Sequence, residues 1–223
     1  MDYIIREKYI SKIKAFINKP VIKILTGIRR TGKSSLLHII KDELLKDVAD
    51  ENKIYINFEA TNLLSINNAN SLLEYLKPLL EDIEGKVYFF FDEIQIVDGW
   101  EQVISDLKLN RDCDFYLTSS NAKLISNISL SDIFLTSSNK KLISNLSEKY
   151  VEFEIQPFTF SEFKKAFENM ELSKENLFYK FIQLGGLPFL KYFDLDETPS
   201  FEYLNDIYNT VLVKDVLQYN NIR

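Results

Sequence analysis

Along the first part of the chain the apolar residues Ile5, Tyr9, Ile13, Phe16 and Ile17 recur three and four positions apart with charges between them. That spacing predicts an amphipathic helix ending before Pro20. The period then changes. Val21-Ile22-Lys23-Ile24-Leu25-Thr26 is a short β-branched run broken by Gly27, and helical spacing returns at Leu36, Ile39, Ile40 and Leu44. Strand, glycine loop and a helix from Ser34 to about Leu45 are expected. A second strand is expected at Lys53-Ile54-Tyr55-Ile56-Asn57-Phe58, then a helix carrying Leu72, Leu73, Tyr75, Leu76, Leu79 and Leu80. Val87-Tyr88-Phe89-Phe90-Phe91 is apolar throughout, as suits a central strand covered on both faces. Strands alternating with helices in this way predict a parallel α/β sheet.

Further on, Asp114-Phe115-Tyr116-Leu117-Thr118 reads as another strand and Val151-Glu152-Phe153-Glu154-Ile155 alternates as a last one. After Pro157 the period is helical, through Phe160, Phe163 and Phe167, then Leu177, Phe178, Phe181 and Ile182, then Leu204, Ile207, Tyr208, Val211 and Leu212. The expected organisation is an α/β core over residues 1–156 and a small helical lid over residues 157–223 that stops inside a helical pattern. Within the core, Leu117-Thr118-Ser119-Ser120-Asn121 and Lys123-Leu124-Ile125-Ser126-Asn127 recur as Leu135-Thr136-Ser137-Ser138-Asn139 and Lys141-Leu142-Ile143-Ser144-Asn145. Two copies are too few for a solenoid, so residues 114–147 are a local tandem duplication of one strand-turn-helix piece. A central slot accepts one strand; the first copy is expected to fill it because it follows directly from the preceding helix, while the second leads as naturally into Val151-Ile155 and is the alternative.

Composition narrows the class. With 223 residues, 46% hydrophobic and 27% charged, the chain has the profile of a folded globular protein. Its net charge of −6, with basic residues spread among acidic ones, gives no support to a general nucleic-acid surface, although a local patch stays open. The single cysteine, Cys113, and single histidine, His38, leave no internal disulfide and too few soft ligands for structural zinc, as expected in the cytoplasm. No stretch approaches the roughly 18 apolar residues that a membrane helix needs.

Gly27-Ile28-Arg29-Arg30-Thr31-Gly32-Lys33-Ser34 matches the G-x-x-x-x-G-K-[ST] pattern, in which backbone N–H groups cradle phosphates, the lysine reaches the terminal phosphates and the hydroxyl binds Mg²⁺. The loop follows an apolar strand and opens a helix, the context this chemistry requires. Ser35 completes the candidate binding segment. Phe89-Phe90-Phe91-Asp92-Glu93 is an apolar strand ending in paired acids, where the first carboxylate can hold Mg²⁺ and the second can polarise a water. Ser34 and Asp92 are therefore the candidate metal ligands, and Lys33 and Glu93 candidate catalytic residues. No guanine-specificity element follows the later strands, so ATP is favoured over GTP. Asn121, at the tip of the expected fourth strand, is the candidate γ-phosphate sensor, with Asn139 as its duplicate; Ser-Ser-Asn equally reads as a helix cap. Arg29 and Arg30 read as phosphate or partner contacts or as solvated loop charges, Trp100 as a core anchor, and Gly185-Gly186 as a helix stop.

Several segments together carry a family resemblance: Ile5-Arg6 with Tyr9, Gly27 through Leu37, Asp92-Glu93-Ile94-Gln95, Gly99-Trp100-Glu101, Pro157-Phe158-Thr159-Phe160-Ser161-Glu162-Phe163 and Gly185-Gly186-Leu187-Pro188. In this combination the chain resembles the AAA-like P-loop ATPases of archaea and bacteria. The resemblance implies a three-layer P-loop fold of AAA/ASCE-like strand order with a helical lid, ATP and Mg²⁺ as ligands, ATP hydrolysis, and a further C-terminal domain that this chain lacks. It leaves self-association or a protein partner open. The family's Gly-Ser-Asn is Ser119-Ser120-Asn121 here, and its Gly-Arg-Tyr is Glu148-Lys149-Tyr150. The arginines are Arg6, Arg29, Arg30, Arg111 and Arg223, so residues 112–222 contain none. Arginine fingers and sensors neutralise transition-state charge, so a nucleotide-binding or interaction module with little or no turnover is the alternative expectation.

Overall fold

A computed structural model describes residues 3–120 and 150–210. Contacts divide the chain into two compact units, one made of Glu7–Gly27 with Lys33–Glu154, the other of the residues before Glu7, Ile28–Gly32 and the chain from Ile155 onward.

The first unit is built on a five-stranded, all-parallel sheet: β1 (Ile22–Thr26), β2 (Lys53–Asn57), β3 (Val87–Asp92), β4 (Cys113–Ser119) and β5 (Tyr150–Glu154), in the order β2-β3-β4-β1-β5. Parallel neighbours cannot be joined by hairpins, and helices return the chain between them. These are α2 (Lys33–Ile39), α3 (Ala69–Leu80) and α4 (Trp100–Asn110), with α1 (Glu7–Lys14) preceding the sheet. Every residue of β1 and β3 is buried, as the apolar runs require of strands covered on both faces. One face presents Ile22, Ile24, Phe89, Phe91, Phe115 and Leu117 to α3 and α4, where Leu72, Leu76, Trp100, Val103 and Ile104 complete the core. Trp100 is thus a core anchor.

Two helices differ from their expected bounds. The first ends at Lys14 and not just before Pro20, because the backbone turns left-handed at Asn18 (φ 59°) and the Asn18 N–H donates to Asp114 Oδ2 at 2.9 Å. After α2 the coil widens into a π turn over Ile40–Leu44, with the Leu45 N–H reaching the Ile40 carbonyl at 3.1 Å.

The slot between β1 and β3 holds β4, the first copy of the duplicated piece. Its side chains fit that place in detail. Phe115 stacks on Phe89 and Tyr116 on Phe90, each with ring centroids 5.0 Å apart. Asp114 forms a buried ion pair with Lys23 of β1, accepts from the Tyr116 hydroxyl at 2.9 Å, and is joined through Asn18 to Tyr88. Burial lowers the Lys23 pKa, with the Asp114 carboxylate opposing the shift. The second copy, with Asn139, lies outside the described residues, as does Asn121.

The second unit has its own core of Phe158, Phe163, Phe167, Leu177, Leu184, Leu187, Leu190, Leu195 and Tyr203. It is formed by α5 (Phe160–Ala166), α6 (Lys174–Leu184), a 3₁₀ turn (Pro188–Phe193) and α7 (Glu197–Thr210). Thr159 and Glu162 form a capping box at α5. Gly186 cannot be replaced without a shift: its carbonyl accepts from the Phe158 N–H at 2.7 Å, and a Cβ there would lie 2.3 Å from the Phe158 carbonyl oxygen.

The duplication gives a direct test of what the slot requires. Deleting Ser119 through Thr136 leaves the strand Asp114-Phe115-Tyr116-Leu117-Thr118, whereas deleting Asp114 through Ser131 leaves Asp132-Ile133-Phe134-Leu135-Thr136. The two shortened chains differ only by Phe/Ile and Tyr/Phe. The first is expected to melt at or above the parent's temperature. The second lacks a hydroxyl bonded to a buried carboxylate, worth about 1.5–3 kcal/mol, and is expected to melt several degrees lower in the same thermal scan.

Candidate nucleotide site

The segment from Gly27 to Ser35 joins β1 to α2 as the glycine pattern demands. Gly27 (φ 137°) and Gly32 (φ 92°) both adopt backbone that side chains disfavour, and a third positive φ falls on Arg30 at 66°. The Thr31 hydroxyl donates to the Ile28 carbonyl at 3.0 Å. Lys33 spans the ends of the loop, donating from Nζ to the Gly27 carbonyl at 3.0 Å, and is 4% exposed. Ser34 is exposed at the start of α2, and Ser35 is half-buried beside it.

Two carboxylates end β3, and the protein treats them differently. Asp92 is 1% exposed, and the groups donating to its two oxygens are neutral hydroxyls: Thr118 to Oδ1, and Tyr55 to Oδ2 at 2.9 Å. Glu93 follows in a left-handed turn (φ 57°), with its N–H donating to Thr118 Oγ1 at 2.8 Å. Its carboxylate accepts from the Ser120 N–H at 2.9 Å and Gln95 Nε2 at 2.5 Å, and lies 3.5 Å from Lys33 Nζ. Burial pushes the Glu93 carboxyl up, but Lys33, Gln95 and Ser120 together reverse this and hold it below the usual glutamate range.

Lys33, Asp92 and Glu93 therefore converge at one end of the sheet, where β1 and β3 flank β4. Tyr55, Thr118, Gln95 and Ser120 hold the two acids, and sequence reasoning assigned none of them a role. Gln95 stands in the Asp92-Glu93-Ile94-Gln95 segment and Thr118 in a quoted strand, so both were in view. Tyr55 gave no signal, because only the β2-β3 register (Tyr55↔Phe90, Asn57↔Asp92) brings its hydroxyl to Asp92. His38 packs its ring on Tyr55 at 4.5 Å. In the second unit, the Arg30 guanidinium lies over Phe189 and Tyr203, and Arg6 is buried against Glu162 while donating to the Thr31 carbonyl at 3.1 Å. Among the described residues no helix is long and apolar enough to cross a membrane.

A family model described as AAA domain matches residues 19–164, which takes in the loop, both carboxylates and the whole sheet. The chain belongs to the AAA-domain family. This AAA domain is 30% identical over 216 residues to an uncharacterized protein of Haemophilus influenzae, covering 95% of this chain and 50% of that protein. It is 33% identical over 222 residues to an uncharacterized protein of Methanocaldococcus jannaschii, covering 95% of this chain and 45% of that one. The chain thus spans about half the length of the curated relatives it matches. In fold, the AAA domain is similar to AMPPCP-bound DnaA from Aquifex aeolicus (TM-score 0.53, 16% identity, 99% of this chain and 66% of that one). It is also similar to Cdc6p from Pyrobaculum aerophilum (TM-score 0.51, 14% identity, 83% and 56%). The α/β fold with a parallel sheet and C-terminal helices is that of a P-loop nucleotide-binding domain.

The lowered Glu93 pKa has a measurable consequence. Because the folded value lies below the unfolded one, the ionised carboxylate contributes stability that is fully present above the ordinary value of 4.5 and is lost as the pH falls through the lowered value. The stability difference between the nucleotide-free parent and Glu93→Gln is expected to be constant from about pH 8 to about pH 5.5 and to shrink progressively as the pH falls below the ordinary value of 4.5 and through the lowered one, as read by denaturant unfolding across pH.

Proposed function

We propose that this AAA domain binds ATP with Mg²⁺ on the loop Gly27–Ser35 and hydrolyses it. The observation that carries the proposal is the arrangement around Lys33: a buried ammonium spanning the loop, next to a β3 that ends in two acids held in different ways. The backbone N–H groups from Gly27 to Ser35 cradle the phosphates, and Lys33 neutralises the β- and γ-phosphates. AMPPCP held by the fold neighbour DnaA supports a nucleoside triphosphate as the ligand.

The donor set suits Mg²⁺. Ser34 offers a hydroxyl and Asp92 a carboxylate, both hard oxygen ligands, and Asp92 has neutral hydroxyl donors on its two oxygens, which leaves its charge to a cation. Held by Ser34 and Asp92, the ion would supply positive charge to offset that of the phosphates. Glu93 is the general base: its lowered pKa keeps it ionised at neutral pH, and its carboxylate is positioned by Ser120 and Gln95 to orient a water. Asn121, two residues beyond β4, is proposed as the γ-phosphate sensor. Residues 157–223 form the proposed lid. ATP as ligand and a lone cysteine fit a cytoplasmic protein.

The second reading, binding without turnover, is favoured by one feature, the lack of arginine from residue 112 to residue 222. Titration with ATP·Mg²⁺ followed by phosphate-release assays separates the two readings. The assays are run on the chain alone, at rising protein concentration and with DNA added. Binding without release under all three conditions would leave only the second reading.

Lys33→Ala is expected to abolish ATP binding, because Lys33 is the buried ammonium beside the two carboxylates and is the group assigned to the terminal phosphates. ATP held as tightly by this variant as by the parent, measured by calorimetry, would overturn the site. Glu93→Gln keeps the metal ligand and removes the base. Its ATP affinity is expected to stay within about threefold while phosphate release falls by about a hundredfold or more. An undiminished steady-state rate would remove Glu93 from the mechanism.

A further inference from the structure

The phosphate loop carries a side chain whose placement phosphate chemistry does not explain. Arg30 adopts φ 66°, a conformation that an L-residue with a Cβ holds only when its surroundings enforce it. Its guanidinium carbon lies 5.4 Å from the Phe189 ring centroid and 5.0 Å from that of Tyr203, within the range of cation–π attraction to both. The two rings are stacked on each other at 5.1 Å and 24°, and Phe193 packs on both, at 5.8 Å from Phe189 and 5.2 Å from Tyr203. Tyr203 belongs to the helical core, with Phe193 packed against it, and it backs the exposed Phe189 on which Arg30 rests.

The neighbouring loop residues are held by the same unit. The Thr31 carbonyl accepts from Arg6 Nη1 at 3.1 Å, and Arg6 is itself fixed by a two-point bond to Glu162 of α5 at 2.8 and 3.1 Å. At Gly32 a Cβ would meet Pro188 Cγ at 3.6 Å, and Pro188 opens the 3₁₀ turn that carries Phe189. Three successive loop residues thus have partners within one unit. Two guanidinium groups thus lie between these loop residues and the helices, Arg6 from the N-terminal segment and Arg30 from the loop itself.

We propose that Arg30 is a positioning residue: in cation–π range of Phe189 and Tyr203, it holds the phosphate loop in its binding shape and couples the loop to the 3₁₀ turn and α7. The part of this that concerns ATP rests on the function proposed above. The clasp itself does not. Lysine in place of Arg30 keeps the charge but loses the planar guanidinium that favours aromatic contact, and glycine fits the backbone but makes no clasp.

The test uses Arg30→Ala, Arg30→Gly, Arg30→Lys, Phe189→Leu and Phe189→Tyr in the full chain, with folding checked by circular dichroism and thermal melting. Phe189 is 40% exposed, so leucine there spares the core, and tyrosine keeps the ring as a control. Amide hydrogen exchange without nucleotide is expected to quicken about five- to tenfold across residues 188–193 in Arg30→Ala, with the sheet unchanged. An unchanged rate there overturns the proposal whether or not ATP binds.

With ATP·Mg²⁺, Arg30→Ala, Arg30→Gly and Phe189→Leu are each expected to raise the dissociation constant about five- to tenfold. Phe189→Tyr should match the parent, Arg30→Lys should fall between, and the Arg30→Ala/Phe189→Leu double variant should be no worse than either single one. A loss in Arg30→Ala with none in Phe189→Leu would make Arg30 a direct phosphate ligand and overturn the proposal. Full affinity in Arg30→Gly would reduce its role to backbone strain and overturn it equally. If the parent fails to bind ATP, the proposed function falls and the exchange measurement alone decides the clasp.

Discussion

Two adjacent carboxylates at the end of a fully buried strand are the constraint on which the rest of this fold turns. Burying an ionised carboxylate is costly unless each oxygen finds a donor, and β3 delivers Asp92 and Glu93 together to one buried place. The donors come from every direction the sheet allows: Tyr55 from β2, Thr118 from β4, Ser120 just beyond β4, Gln95 from the turn after β3, and Lys33 from the end of the phosphate loop. Thr118 serves both acids, donating to Asp92 and accepting from the Glu93 N–H, so the register of β4 against β3 is tied to the chemistry of the site.

The opposite end of the same strands solves a similar problem with a different result. Lys23 and Asp114 are a fully buried ion pair, bordered by the Tyr116 ring and closed by Asn18 and Tyr88. Such a pair stabilises little on balance, but removing one partner leaves a buried charge and costs about 3–5 kcal/mol. Its effect is selective: it accepts a strand with aspartate at its start and a hydroxyl two residues on. The first copy of the duplication has both, while the second has Phe134 in place of the tyrosine.

This selectivity also explains how legible the sequence was. The apolar runs of β1 and β3, the glycine loop and the helical periods were readable because each is local: burial on both faces, positive φ at Gly27 and Gly32, and three- to four-residue spacing leave marks within a few residues. The first helix was overextended because its end is set by Asn18 bonding to Asp114, a partner far along the chain that periodicity does not register. Lys33, Asp92 and Glu93 could be named from motifs, whereas Tyr55 required the β2-β3 register. Arg30 reads in the sequence as a phosphate or partner contact or as a solvated loop charge. Its aromatic platform joins Phe189 to Tyr203 across a turn and a helix, and no spacing rule connects those positions to the loop.

The two acids differ in what balances their charge, and that difference orders the proposed chemistry. Asp92 has hydroxyl donors on its two oxygens, so on the proposed reading a cation arriving with the nucleotide meets a carboxylate held by neutral groups. Glu93 shares Lys33, and at 3.5 Å with an effective dielectric near 20 that attraction is on the order of 4–5 kcal/mol before desolvation is counted. A triphosphate brings several negative charges to the same ammonium and outweighs one carboxylate. Lys33 then turns to the phosphates, while Ser120 and Gln95 still hold the Glu93 carboxylate in place. On the proposed reading, nucleotide binding itself releases the base from its counter-ion, so Glu93 becomes available to water only when there is a phosphate for that water to attack.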